Sequence, residues 1–211
     1  MTRAPSLRLK DRWLDALLPH VVDEGWTPLA LDVSAREIGL SSGEQALAAP
    51  GGVVDLIDHF FIQAEDCVRE QASEGVLGGL RTHERVARGV RIWLDALEPN
   101  REAVRRAAAR GLLPWQSAPA IKRGWSVADT IWLAAGDTAT DYNKQTKRIL
   151  LSGVLPAILS YWLNDPSSDD LDAYIARRLQ GAMKLGQASG KVLSPALDFM
   201  ERIRPSTDKS S

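Results

Sequence analysis

The sequence predicts an all-α fold. Apolar residues recur at spacings of three and four along nearly the whole chain, which gathers them on one face of a 3.6-residue helix. No run alternates apolar and polar residues for more than a few positions, so the mark of a half-buried strand is missing. Breakers interrupt the helical pattern at Gly25, Ala49-Pro50-Gly51-Gly52, Gly75 to Gly79, Pro99, Gly111 to Pro114 and Asn164-Asp165-Pro166.

These breaks leave nine to ten helices, over 6–24, 32–40, 42–49, 52–74, 81–97, 100–111, 117–136, 142–163, 168–189 and 195–204. The first ends at Gly25, and the next two are short and share a turn at Ile38 to Ser42. The fourth follows the Pro50-Gly51-Gly52 break, and the fifth lines up Val86, Val90, Trp93, Leu94 and Leu97 on one face. The sixth starts beyond Pro99, and the seventh places Trp125 and Trp132 seven residues apart, with Ala128 and Ala135 spaced likewise. The eighth is apolar nearly all round, through Ile149, Leu150, Val154, Leu155, Ile158, Leu159, Trp162 and Leu163, and is therefore expected to be central. The ninth opens at Ser168 and carries Leu171, Tyr174, Ile175, Leu179, Ala182 and Met183; the last opens on Ser194-Pro195, a cap followed by proline in the first turn. Grouped, they predict a head over 1–50, a ligand-binding bundle over 51–190 and a C-terminal amphipathic helix with a polar tail over 191–211.

At 211 residues, 45% hydrophobic and 25% charged, the chain is of the globular class. A formal net charge of -1 supplies no global field toward a polyanion. Cys67 is the single cysteine, so disulfides within the chain and cysteine-rich metal sites are excluded. The N-terminus has no apolar h-region and meets Asp11 early, against a signal or transit peptide, and the greasy stretch from Ile149 to Leu163 is too short to span a bilayer. The expected location is cytoplasmic, peripheral to the inner membrane, in a bacterial-type chain.

The three N-terminal helices have the layout of a helix-turn-helix, with Ala35, Ile38 and Leu40 packing inward and Gly39 in the turn. With the longer fourth helix behind them, they resemble the head of TetR-family repressors. The second of the short pair, Ser42 to Ala49, contains Glu44 and no Lys or Arg, and residues 31–75 hold nine acids against Arg36 and Arg69. A reader of DNA draws its non-specific affinity from cations on phosphate. The head is therefore read as degenerate, with no nucleic-acid partner. Residues 81–123 reverse the balance, and Arg81, Arg85 and Arg88 share a helix face, either a solvated surface or one that meets anionic headgroups.

From Trp125 onward stand Trp132, Ala135-Gly136-Asp137, Thr140 with Asp141-Tyr142-Asn143, Thr146-Lys147-Arg148, and Trp162 with Asp165 and Ser167. This pattern resembles the COQ9 family of ubiquinone-biosynthesis accessory proteins, and the turn at Ala49 to Leu56 extends the likeness over 7–190. The resemblance implies a TetR-like fold, an isoprenoid lipid or quinone precursor in the cavity, and a docking surface for the di-iron demethoxyubiquinone hydroxylase. It places partner contact at Asp141, Tyr142, Asn143, Lys144, Gln145 and Arg148, while the kink expected at Gly153 and Pro156 beside the tryptophans places lipid contact at Trp125, Trp132, Ile149, Gly153, Val154, Pro156, Ile158 and Trp162. Lys144 and Gln145 stand where eukaryotic members usually carry aromatics.

The same residues read without the family leave alternatives. The Trp-rich helix pair is either plain core or a pocket wall, opened where Pro156 removes a backbone hydrogen bond and Gly153 removes side-chain volume. The turn from Asp137 to Arg148 is either a capped, charge-paired connection, with Asp141 as cap, or a binding patch.

Catalytic signatures are missing. His20, His59 and His83 have leucine three residues before them, so no Glu-x-x-His pair exists, and neither a phosphate loop nor a G-x-S-x-G elbow occurs. Cys67 sits among Glu65, Asp66 and Glu70, which disfavours a thiolate. No catalytic residue, metal or cofactor is expected. The resulting expectation is a non-enzymatic, lipid-binding homodimer pairing through 142–163 and 168–189, with peripheral membrane contact. The alternatives are a ligand-responsive regulator of TetR type and a scaffold without ligand. The stripe Leu193, Ala196, Leu197, Met200 and Ile203 docks either on the protein body or on a bilayer.

Overall fold

The structure, a computed structural model, describes residues 4–111, 117–138 and 142–188. These residues form α1 (Pro5–Glu24), α2 (Pro28–Glu37), α3 (Ser42–Ala48), α4 (Val53–Ser73), α5 (Thr82–Leu97), a single 3-10 turn at Glu98–Asn100, α6 (Arg101–Gly111), α7 (Ser117–Ala134), α8 (Tyr142–Trp162) and α9 (Ser168–Ala188). Among the described residues there is no strand. The expected helix at 195–204 lies outside them, as does Asp141.

Most boundaries fall within two residues of the sequence reading, but α2 starts at Pro28 rather than at residue 32. Thr27 supplies the missed signal: its side chain accepts from the Ala30 N–H at 3.2 Å, with Pro28 in the first turn. The helix ends at Glu37 because Gly39 takes φ +68°, a left-handed conformation that suits glycine. Ser41 and Glu44 then close a reciprocal capping box at the start of α3. Hydrogen bonds to Ser41 hold the Glu44 carboxyl below its ordinary pKa.

Backbone contacts divide the described residues into two units, one within 4–67 and 93–119 and one within 68–92 and 120–188, with a division inside α4. In the first unit α1 packs on α2, α3 and α6. Trp13 is buried, its indole N–H shared between Ser34 Oγ and the Leu31 carbonyl. Trp26 is buried and donates to the Ala103 carbonyl, which ties the loop after α1 to α6. Ala35 and Leu40 point inward as expected, and Ile38 is half-buried. The exposed residues of α3 are Ser42, Gly43, Ala46 and Leu47, with no cation. His59 is buried against Asp11 at 2.7 Å, with Gln63 donating to the same carboxylate.

The second unit holds the remainder of α4 and α5, nearly all of α7, and α8 and α9 packed on one another. The buried residues of α8 are Leu151, Leu155, Ile158 and Trp162, together with Arg148, at spacings of three and four. Its opposite face, with Gly153, Pro156 and Ser160, is exposed. The helix expected to be buried on every side thus keeps one open face within the chain. The cap of α9 is Ser167, one residue earlier than predicted, with its hydroxyl accepting from the Asp170 N–H.

Candidate lipid site at the junction of α7 and α8

Helix α7 ends in a glycine turn. Gly136 adopts φ +86°, its N–H bonds the Leu133 carbonyl, and the Asp137 N–H reaches back to the Trp132 carbonyl. This pairing satisfies two carbonyls the helix end would leave open. It also sets Asp137 beside the first turns of α8. The Asp137 side chain is only 4% exposed, and its two oxygens accept from Lys147 Nζ at 2.6 Å and from Arg148 Nη1 at 2.8 Å. Arg148 is 1% exposed; it donates further to the Asp129 carboxylate on α7 and to the Lys144 carbonyl. Burial by itself would raise the Asp137 carboxyl, but the hydrogen bonds from Lys147 and Arg148 outweigh it and hold the group below its ordinary pKa. Trp132 completes the junction: its indole donates to the Lys147 carbonyl at 3.1 Å, and the Lys147 ammonium lies 5.2 Å from the ring centroid.

Next to this junction lies a cavity of about 400 Å³. Its walls are Val86 of α5, Trp132 of α7, Leu150 and Leu151 of α8, and Leu179, Ala182 and Met183 of α9; its polar lining is Thr82, His83, Thr146 and Lys147. The volume and the mostly apolar lining are those of a small-molecule site. Met183 is 45% exposed, so the apolar lining reaches the surface at this residue of α9.

The cavity is not at the Gly153–Pro156 step, where the helix pattern alone placed it. Both residues are exposed, and a Cβ built on Gly153 meets nothing within 4 Å. Of the eight residues expected to contact lipid, Trp132 lines the space. Ile158 and Trp162 are core, at 0% and 2% exposed, and Trp125, Ile149 and Val154 are half-buried away from it. The lining residues that sequence reasoning missed come from α5 and α9, and no local spacing links Val86 with Leu179 and Ala182. Arg148, expected on a partner surface, is interior because two carboxylates draw its guanidinium inward. Lys144 and Gln145 are half-buried; the side chains of Tyr142 and Asn143, like Asp141, lie outside the description.

Among the described residues no three His, Cys, Asp or Glu side chains form a group able to hold a metal, and no helix is long and apolar enough to cross a membrane.

Residues 117–186, which include this junction, match the family model described as COQ9. The chain is also 30% identical over 196 residues to the mitochondrial ubiquinone biosynthesis protein COQ9 of Rattus norvegicus, in an alignment covering 89% of the chain and 62% of the relative. The chain carries a COQ9-family segment. The Homo sapiens COQ9 protein is 28% identical, with 89% of the chain and 61% of that protein covered, so the chain spans less than two thirds of the length of these relatives. All the quoted signature positions, from Trp132 to Ser167, fall inside the COQ9 segment. Among solved structures, a TetR transcriptional regulator from Nitrosomonas europaea superposes with a TM-score of 0.66 over 83% of the chain and 98% of that regulator, at 22% identity. The fold is therefore TetR-like, as the helical layout predicted.

Proposed function

We propose that this protein is a non-enzymatic accessory factor of ubiquinone biosynthesis that holds an isoprenoid quinone precursor and presents it to the di-iron demethoxyubiquinone hydroxylase. The carrying observation is the apolar cavity beside the COQ9 signature residues, open to solvent along α9 and edged by Lys147 and Thr146. Its size suits the head and first isoprene units of a prenylated ring. The names of the aligned relatives support the pathway. Lys144 and Gln145, in the first turn of α8 next to Thr146, are the described residues that remain for a partner contact. The half-exposed apolar positions Ile149, Val154 and Leu159 on α8 support a homodimer through α8 and α9. Peripheral membrane contact belongs to the same reading, with Met183 at the cavity exposed to solvent. Extraction of natively purified protein and mass spectrometry of the extract is the test: a prenylated aromatic lipid is expected in roughly stoichiometric amount. Protein that carries no lipid, and takes none up from vesicles doped with a prenylated quinone, would refute the proposal.

The second reading, a ligand-responsive regulator, has the α2–turn–α3 geometry in its favour. Against it stands an α3 without Lys or Arg, which forgoes the phosphate contacts that anchor such a helix. A gel shift with genomic fragments separates the two.

A further inference from the structure

The arginines of this chain differ in what their guanidiniums meet. Arg81, Arg91, Arg101, Arg105 and Arg106, on α5 and α6, each lie at most 3.1 Å from an Asp or Glu oxygen. Arg177 and Arg178, on α9, are exposed and have no carboxylate partner among the described residues. No acid stands three or four residues from either, and from Ala173 to Ala188 the helix carries these two, Lys184 and no acid.

An aromatic pair holds the two cations in place. Tyr161 of α8 and Tyr174 of α9 stack, with ring centroids 4.0 Å apart and planes 5° from parallel. The guanidinium carbons of Arg177 and Arg178 lie over the Tyr174 ring, 5.0 and 4.9 Å from its centroid, and hence within about 10 Å of each other. A ring contact draws on the charge of the cation and leaves its N–H donors for an oxygen ligand. Two like charges fixed on one ring repel, and an anion with several acceptor oxygens relieves them. A phosphate group suits the pair, because each guanidinium can offer it two parallel N–H donors. With Tyr161 stacked on it and two guanidiniums over it, Tyr174 keeps little ring surface for a planar base.

The cluster is too small for a polyanion. A basic segment that holds an anionic membrane uses about four to eight cations. Here the exposed Asp169 and Asp170 open the same helix, and an extended phosphate backbone would meet them as well. We infer that Arg177 and Arg178, held on the Tyr161–Tyr174 stack, bind a small phosphate- or diphosphate-bearing molecule, at a site separate from the apolar cavity, whose lining includes none of these four residues.

Isothermal titration of the full chain with inorganic diphosphate tests this. One diphosphate per chain is expected. Arg177→Gln and Arg178→Gln should each weaken it about ten-fold, the size of one charge-assisted hydrogen bond. Tyr174→Leu keeps both cations but removes their support, and should weaken binding by less. Lys184→Gln, which deletes a cation of the same helix outside the cluster, should leave the affinity unchanged. Sedimentation with phosphatidylcholine vesicles containing phosphatidylglycerol should be the same for the parent and both arginine variants, and thermal melting confirms that each variant is folded. No diphosphate binding, or unchanged affinity in both arginine variants, would overturn the site. A loss in Lys184→Gln equal to that in Arg178→Gln would overturn it too, because the attraction would then be a diffuse field of α9. Vesicle binding lost in the arginine variants would assign the two cations to a lipid surface in place of a small molecule.

Discussion

Replacing Arg148 by methionine tests whether the buried charge network stabilises the second unit. The substitution keeps an unbranched side chain in the space but deletes the cation that links α7 to α8. Asp137, 4% exposed, would keep Lys147 as its partner, whereas Asp129, 35% exposed, would be left to water. Removing one partner from a buried pair costs about 3–5 kcal/mol when the other is stranded. Here neither carboxylate is fully stranded. The guanidinium also carries a buried Nη2 with no hydrogen-bond partner, a burden of about 1–3 kcal/mol that methionine relieves. The net expectation is a loss of about 2 kcal/mol, which for a chain of this size lowers the melting temperature by about 4–8 °C. Thermal melting followed by far-UV circular dichroism reads this directly. A variant that melts within about 1 °C of the parent would refute the reasoning, since the network would then add nothing beyond an apolar filler. Arg148→Glu should be far worse, with three carboxylates crowded together, and is therefore a probe of folding rather than of partner docking. Lys144→Glu is the variant that tests docking, because Lys144 is half-buried and only its backbone carbonyl serves the network.

Enlarging Ala182 to Phe, at a buried position in the cavity wall, should lower the amount of lipid that co-purifies, whereas Gly153→Leu, on the exposed face of α8, should leave it unchanged; the opposite pattern would move the site. The Asp137 carboxyl titrates lower in the folded chain than in the unfolded one, so its contribution is full above about pH 4 and is lost as acidification passes through the folded value. Asp137→Asn should accordingly flatten the fall of melting temperature in that acid range, and an unchanged slope would exclude the group. Gly39→Ala forces a side chain into the left-handed region between α2 and α3 and should cost about 1 kcal/mol by denaturant melting, with no effect on lipid content.

Helix identity was legible because each helix carries its own punctuation. Gly25 closes α1, the Pro50-Gly51-Gly52 break precedes α4, and the apolar stripes between such marks run at the helical period, all within a few residues of one another along the chain. The COQ9 signature was legible for the same reason, as a run of close-set residues from Trp132 to Ser167. One local rule misled: a proline and a glycine in an apolar helix suggested an opening at Gly153–Pro156. For Arg148 the local reading leaves a charge-paired turn open beside the partner surface that the resemblance implies, and the ion pairs to Asp137 match the former. Neither reading knows which way the helix is turned. That rotation is fixed by packing, when Leu151, Leu155, Ile158 and Trp162 are buried, and it carries Gly153 outward and Arg148 inward. The cavity, likewise, is made of Val86, Trp132, Leu150 and Leu179, which come from four helices and nearly a hundred positions of sequence. The sequence by itself determined the helices, most of their ends and the likeness to the COQ9 family. Only the tertiary structure decided which faces meet, because helical period constrains neighbours three and four residues apart and is silent about partners on another helix.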